Sequence, residues 1–262
     1  MVLEEARETL RSLGRGLPDR GGRIVLHTDG PVARLVIANP SARNAMTVAM
    51  MASLADAVLE LSRWDGAVVH VVGEGSVFCA GGHLDDVRDA LIDGDNGLGM
   101  AHAMTAVLDE FRGLPFVSVA LVNGPALGGG AELATACDLR VCGAGGYLHF
   151  VHGALGVAPG WGGAQRLRDI VGRTAAVRVL TSAAKIGPDE GRAIGLFDAV
   201  AEEASAAALV LSAPILALPI AAVRAMKQQV AAKERSMEAL VFASVWGGPD
   251  HRTALAKGRR AR

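Results

Sequence analysis

Cysteine is scarce in this chain of 262 residues: Cys79, Cys137 and Cys142 are the only three. An odd number with no CxxC spacing excludes a disulfide framework and supplies no zinc site. No apolar run reaches membrane-spanning length, and the acidic stretch MVLEEARETL lacks the form of a signal peptide. The expected compartment is therefore a reducing cytoplasm. Net charge is also small, at -1 with a pI near 6.7, which argues against a nucleic-acid footprint across the whole surface. The basic tail from Lys257 to Arg262 reads as a frayed, solvated terminus. There is no internal repeat and no low-complexity segment. A G-x-S-x-G elbow is missing, so a Ser-His-Asp triad has no support.

Hydrophobic residues are plentiful, at 51% against 20% charged, which gives a sizeable core and excludes disorder. The length suits one large α/β domain with an appendage, or two small domains. The chain is organised around Phe116 to Asp138, FVSVALVNGPALGGGAELATACD. Its first seven residues are uncharged and apolar or small, as in a strand buried on both faces. A break at Asn123-Gly124-Pro125 precedes Gly128, Gly129 and Gly130, and Ala131-Glu132-Leu133-Ala134 is strongly helix-forming. A strand, a glycine turn and a helix start together present free backbone N–H groups where a ligand can come close. That outlines an anion or oxyanion site, although the same local sequence also suits a purely structural turn. A P-loop is excluded because Ala131-Glu132 stands where Lys and Ser/Thr belong. The dinucleotide fingerprint is excluded by the glycine spacing.

Along the rest of the chain, residues 3–13 predict an amphipathic helix ending at Gly14. Arg23–Thr28 and Val32–Ala38 predict a hairpin about Asp29-Gly30-Pro31. Thr47 is expected to cap a helix carrying Met51, Leu54, Val58 and Leu61. Ala67–Val72 reads as a further buried strand, followed by a second glycine turn at Gly81-Gly82 and a helix start. Val87–Asp95 reads as the tail of that helix, with a loop over Asp93–Gly97. Leu139–Cys142 is a short strand. From about Ala164 the chain reads as mostly helical, including Ala199–Leu216, Ile220–Lys233 and a last helix with Phe242, Val245 and Trp246 that Gly247-Gly248-Pro249 stops. The order of strands, glycine turns and helices implies repeated strand-and-helix units, and the apolar helical tail implies subunit contacts.

The two glycine turns can each aim one N–H at a shared point. Two such donors make an oxyanion hole for an enolate or tetrahedral intermediate, and removing one typically costs roughly 10²–10³ in rate. Glu132, in the first turn after the main glycines, serves either as a helix-start carboxylate or as a general acid/base. Residues 139–168 contain no Asp or Glu, so His152 is the nearby polar alternative, and His83 follows the first glycine pair directly.

In combination, four motifs resemble the crotonase superfamily, the enoyl-CoA hydratase/isomerase family. They are Asn39-Pro40…Arg43-Asn44-Ala45-Met46, Phe78-Cys79-Ala80-Gly81-Gly82, Asn123-Gly124…Gly128-Gly129-Gly130-Ala131-Glu132-Leu133…Cys137-Asp138, and Pro159-Gly160-Trp161-Gly162-Gly163…Arg166-Leu167. The resemblance implies an α/β fold, a crotonase-like spiral of ββα units with a C-terminal helical trimerisation region. It divides the chain into a helical extension (1–22), a spiral core with an acyl-CoA site (23–200) and a helical oligomerisation region (201–262). It implies an acyl-CoA thioester held at its carbonyl by the Gly82 and Gly129 N–H groups. Ala42, Arg43, Ala45, Ala80 and Leu84 then fall on the pantetheine and adenine path, and His83 and Trp161 on the acyl wall.

In hydratases a second glutamate stands where this chain has His152. The runs Phe150-Val151-His152…Gly160-Trp161-Gly162-Gly163 and Val245-Trp246-Gly247-Gly248-Pro249 are similar instead to the ethylmalonyl-CoA decarboxylase branch. His83 and Gly82 depart from that branch, which has Asp and a small residue there. The activity implied is decarboxylation of a short 2-alkylmalonyl-CoA (methylmalonyl-CoA or ethylmalonyl-CoA) with Gly82, Gly129, Glu132 and His152 as catalytic residues. It implies no metal and no cofactor beyond the CoA of the substrate, and a homotrimer or dimer of trimers. The alternatives are an enoyl-CoA hydratase/isomerase using Glu132 alone and a non-catalytic thioester-binding protein.

Overall fold

A computed structural model describes residues 1–232 and 234–260. Helix α1 (Leu3–Leu13) buries Ala6 and Leu10, the apolar stripe of an otherwise charged segment. Strands β1 (Arg23–His27) and β2 (Val32–Ala38) form the expected antiparallel hairpin, with Arg23 opposite Ala38. Helix α2 (Val48–Leu61) starts as predicted, with the Thr47 hydroxyl accepting the Met50 N–H at 3.1 Å. Every residue of β3 (Val68–Gly73) is buried, which is why its sequence is apolar throughout except for His70 rather than alternating.

A short helix α3 (Leu84–Asp86) widens into a π-helical turn, Val87–Leu91, before α4 (Asn96–Gly113). The loop expected over Asp93–Gly97 is therefore shorter, because Asn96 already opens α4. Next come β4 (Val117–Val122), β5 (Pro125–Leu127), α5 (Gly129–Ala134), β6 (Leu139–Cys142) and β7 (Tyr147–His149). A 3-10 turn over Val151–Leu155 leads to α6 (Gly163–Ser182), then β8 (Lys185–Ile186), α7 (Pro188–Ala193) and β9 (Ala199–Val200). The chain finishes with α8 (Ala204–Leu216), α9 (Ile220–Ala231), α10 (Arg235–Val245) and α11 (Pro249–Arg260).

Six strands form one sheet in the order β1-β2-β3-β4-β6-β9, parallel except for β1. Strands β5, β7 and β8 form a second sheet, which single bridges extend from Ala126 to Cys79 and from Gly82 to Met46. Each turn of the chain thus lays a strand in the first sheet, a shorter one in the second, and then a helix. This is the expected spiral. One core, with Phe78, Phe116, Phe150, Met50 and Met104, fills the side covered by α1, α2 and α4. On the other face Ala204, Ala208 and Val223 pack on Val68, Val119, Leu121 and Val141.

Two expectations need correction at the end of the chain. Gly247, at φ 71, ends α10, but Pro249 opens a further helix instead of closing the last one. Proline suits that first position because its missing N–H has no helical partner there anyway. Lys257 is accordingly helical, not part of a frayed tail, while Ala261, Arg262 and the expected end of α9 at Lys233 lie outside the described residues.

Candidate active site

The parallel pairing of the second sheet brings the two glycine turns side by side. Cys79 N–H donates to the Pro125 carbonyl at 3.2 Å, and Leu127 N–H donates to that of Cys79 at 2.9 Å. The following residues, 80–82 and 128–130, therefore leave the sheet next to each other. Gly81 has φ 92 and Gly128 has φ 51, a region that costs an L side chain roughly 1–2 kcal/mol. These turns swing the next N–H groups, those of Gly82 and Gly129, out of the ladder. A Cβ on Gly81 would lie 3.1 Å from the Gly129 nitrogen, which measures how closely the turns approach. Among the described residues neither the Gly82 nor the Gly129 N–H has an acceptor.

The Gly82 turn is threaded onto the residues before α2. Met46 N–H donates to the Gly81 carbonyl at 2.7 Å, and His83 N–H donates to the Met46 carbonyl at 2.8 Å. The loop at Ala42, Arg43 and Ala45 lies beside Ala80, whose N–H donates to the Arg43 carbonyl at 3.1 Å. Leu84 is exposed just beyond. The structure thus brings Ala42, Arg43 and Ala45 beside Ala80 and Leu84, joining two separate parts of the sequence. Asn44 holds this loop: its amide donates to the carbonyls of Glu74 and Val77 and its oxygen accepts the Asn39 N–H. Asn123 similarly donates to the Gly73 and Gly75 carbonyls. These motif asparagines are loop ties.

Glu132 is buried in α5, with its carboxylate at the start of α6. Oε1 accepts the N–H groups of Trp161 and Gly163 at 2.8 and 2.9 Å, and Oε2 lies 3.0 Å from His152 Nε2. An anion at the N-terminus of a helix is favoured by the unpaired N–H groups and the helix dipole. An ionised carboxylate can only accept, so His152 Nε2–H donates to it and Nδ1 is the buried ring nitrogen left without a partner among the described residues. His152 is 9% exposed, and its Nε2 would be 3.9 Å from a Cβ on Gly128, beside the glycine turn. His83 Nδ1 is the other buried imidazole nitrogen without a partner here.

Trp161 packs beside the second glycine turn. Its ring rests on Gly129, where a Cβ would come within 2.5 Å, and its Nε1–H donates to Met100 Sδ at 2.9 Å. Its carbonyl accepts from the buried Arg166 guanidinium, which also donates to Asp109 at 3.0 Å. Burial pushes the Arg166 pKa down, with Asp109 opposing. The contacts of Arg166 and Met100 with Trp161 were not legible in sequence: Arg166 stands in a motif without a stated task, and Met100 sits in an unmarked helix. The motif residue Asp138 is structural as well. It accepts the Ser118 N–H and hydroxyl, each at 2.8 Å, and pairs with Lys227 of α9.

Residues 27–244 match the enoyl-CoA hydratase/isomerase family. An ethylmalonyl-CoA decarboxylase of Danio rerio is 40% identical over 253 residues, covering 90% of this chain and 83% of that protein. Among solved structures, an enoyl-CoA hydratase of Thermoplasma volcanium superposes with a TM-score of 0.81 at 26% identity, covering 89% of this chain and 96% of the other. A protein of Thermobifida fusca solved in complex with CoA gives 0.68 at 27% identity, covering 97% of each. With the two-sheet spiral, the paired glycine turns and a match over most of its length, the chain belongs to the enoyl-CoA hydratase/isomerase family.

Proposed function

We propose that this protein decarboxylates a short 2-alkylmalonyl-CoA, ethylmalonyl-CoA or methylmalonyl-CoA, through a thioester enolate. One observation carries the reading: the second carboxylate of a hydratase is replaced by an imidazole that Glu132 holds, with Nδ1 buried and unpartnered. Paired carboxylates that add water are thereby missing, while a single proton carrier beside the two N–H donors is present. The relatives named ethylmalonyl-CoA decarboxylase support the same reading.

In the reaction the bond between C2 and the carboxylate breaks, CO₂ leaves, and the electron pair moves onto the thioester oxygen. The Gly82 and Gly129 N–H groups take the charge that develops there, where fixed donors contribute most. C2 then accepts a proton, giving butyryl-CoA or propionyl-CoA, and solvent replaces that proton. His152 is assigned to this return rather than to gripping the carboxylate. A group bonded to the carboxylate would lose its partner as CO₂ becomes neutral and would stabilise the ground state instead of the transition state. Glu132 fixes the orientation of the imidazole through its contact with Nε2. The reaction so written uses no metal, biotin or redox group, because the oxyanion hole alone stabilises the enolate.

The test is mass spectrometry of the protein with ethylmalonyl-CoA, methylmalonyl-CoA and crotonyl-CoA in separate incubations. Loss of CO₂ from the malonyl thioesters with crotonyl-CoA intact is expected; hydration of crotonyl-CoA with the malonyl thioesters intact overturns the proposal. A general acid contributes typically about 10²–10⁴, so His152→Ala is expected to lower kcat by about 10² or more while KM changes little. Unaltered turnover removes His152 from the mechanism.

A further inference from the structure

The segment that follows the Gly82 turn is held by charges more than by burial. Leu84 and Ile92 are 58% and 67% exposed, and from Leu84 through Ile92 only Asp86 and Leu91 are buried. Asp86 makes two contacts. Its Oδ2 accepts the Val48 N–H at 2.8 Å at the start of α2, and its Oδ1 accepts from Arg20 Nε at 2.7 Å. The same guanidinium pairs with Asp89 through Nη2 and lies 3.7 Å from Asp85 through Nη1. Arg20 belongs to the stretch between α1 and β1, far from this segment in sequence, and α1 is anchored separately by Ala6 and Leu10.

We propose that Arg20 is a positioning residue, which through Asp86 holds the turn that aims the Gly82 N–H. The inference rests on the oxyanion role given to Gly82 above. Gly82 is fixed on one side by the bridge to Met46 and on the other by the first turn of α3, where Val87 N–H donates to the His83 carbonyl at 3.0 Å. Positions for a Cβ on Gly82 lie 3.9 Å from both Met51 of α2 and Val87 beyond α3, so the donor sits between these two elements. Asp86 is the side chain that joins them, and Arg20 neutralises it. Without Arg20, three carboxylates within one and a half turns face each other with only Arg88, paired to Asp85, among them. The π-helical turn that follows gives the segment a wider and less regular ladder in which to shift.

The experiment compares the full chain with Arg20→Gln and Arg20→Lys by three readouts. These are thermal unfolding, kcat and KM on ethylmalonyl-CoA, and the infrared carbonyl frequency of bound butyryl-CoA, which reports oxyanion polarisation without turnover. Losing a whole donor costs roughly 10²–10³, so partial misalignment in Arg20→Gln is expected to lower kcat about tenfold to a hundredfold. KM should change less than about threefold, Tm should hold within a few degrees, and the carbonyl red-shift should shrink, with Arg20→Lys restoring part of both. A wild-type frequency and kcat in Arg20→Gln overturns the role of Arg20 alone. A kcat loss that only follows a lowered Tm, without rescue by lysine, also overturns it. No red-shift in the wild-type protein overturns both this inference and the oxyanion reading beneath it.

Discussion

Glycines around the site differ sharply in what their missing side chain is for. A Cβ on Gly163 would fall 2.4 Å from Glu132 Cγ, and one on Gly129 would fall 2.5 Å from the Trp161 ring, whereas nothing comes closer than 3.9 Å to one on Gly82. Overpacking of this kind costs about 1–3 kcal/mol when neighbours are rigid. We expect Gly163→Ala and Gly129→Ala to lower Tm and abolish turnover, since they displace Glu132 and Trp161 respectively. Gly82→Ala should unfold near the wild-type temperature and keep its N–H. Thermal unfolding and initial rates of the three variants decide the matter, and an unstable Gly82→Ala would contradict it. Sequence pattern placed Gly82 and Gly129 in the site and Gly163 only in a motif, and did not separate their roles, because the atoms they make room for come from other parts of the chain. Gly163 stands 31 residues from the glutamate it accommodates.

At the scale of elements, α8 docks on the back of the main sheet through Ala204 and Ala208 and one polar contact, His70 Nε2 to Ser212 Oγ at 2.9 Å. Burial first, and the nearby Arg34 charge second, push the His70 pKa below its ordinary 6.5. The sign follows from linkage. The unfolded chain takes up the proton first as pH falls, so the stability this group supports is present above 6.5 and is lost through the window below it, toward the folded pKa. Tm should therefore drop between about pH 7 and pH 5, and the slope should be shallower in His70→Gln. Parallel slopes would remove His70 as a contributor. The elements themselves were legible wherever the hydrophobic pattern was long: β3, β4, α2 and the β1–β2 hairpin fall where predicted. Strands β5, β7 and β8 were not, since two or three residues carry no periodicity and exist only by pairing across turns of the spiral. Nor did the pattern indicate α11, where proline at a first helical position was read as a stop.

Across the whole molecule, large apolar side chains gather on the surface of the C-terminal helices. Leu209 and Val210 of α8, Leu240 and Phe242 of α10, and Trp246 are 65%, 75%, 64%, 49% and 63% exposed. Exposed apolar side chains concentrated on these helices suit an interaction surface. The proposed occupant is a second and third copy of the chain, as a homotrimer or a dimer of trimers. Sedimentation velocity at micromolar concentration should give a species of three or six chains. Leu240→Glu with Phe242→Glu should dissociate it, because burying an unpaired carboxylate is costly. A wild-type monomer would contradict the proposal. The three thiols take no part in such an interface: Cys79, Cys137 and Cys142 are buried, and burial pushes each pKa up to about 12.

By itself the sequence determined the parts that depend on neighbours in the chain. Largely apolar runs required buried strands, and glycine pairs after them required turns with outward N–H groups. Asp and Glu are missing between residues 139 and 168, which left Glu132 as the site's carboxylate with His152 beside it. Tertiary structure decided what each group faces. Only the folded chain brings the Trp161 and Gly163 N–H groups and His152 onto one carboxylate, leaving His152 Nδ1 as the free nitrogen. Only there does Arg20 reach Asp86, 66 residues away. Such contacts run between turns of a spiral, and no local spacing encodes them.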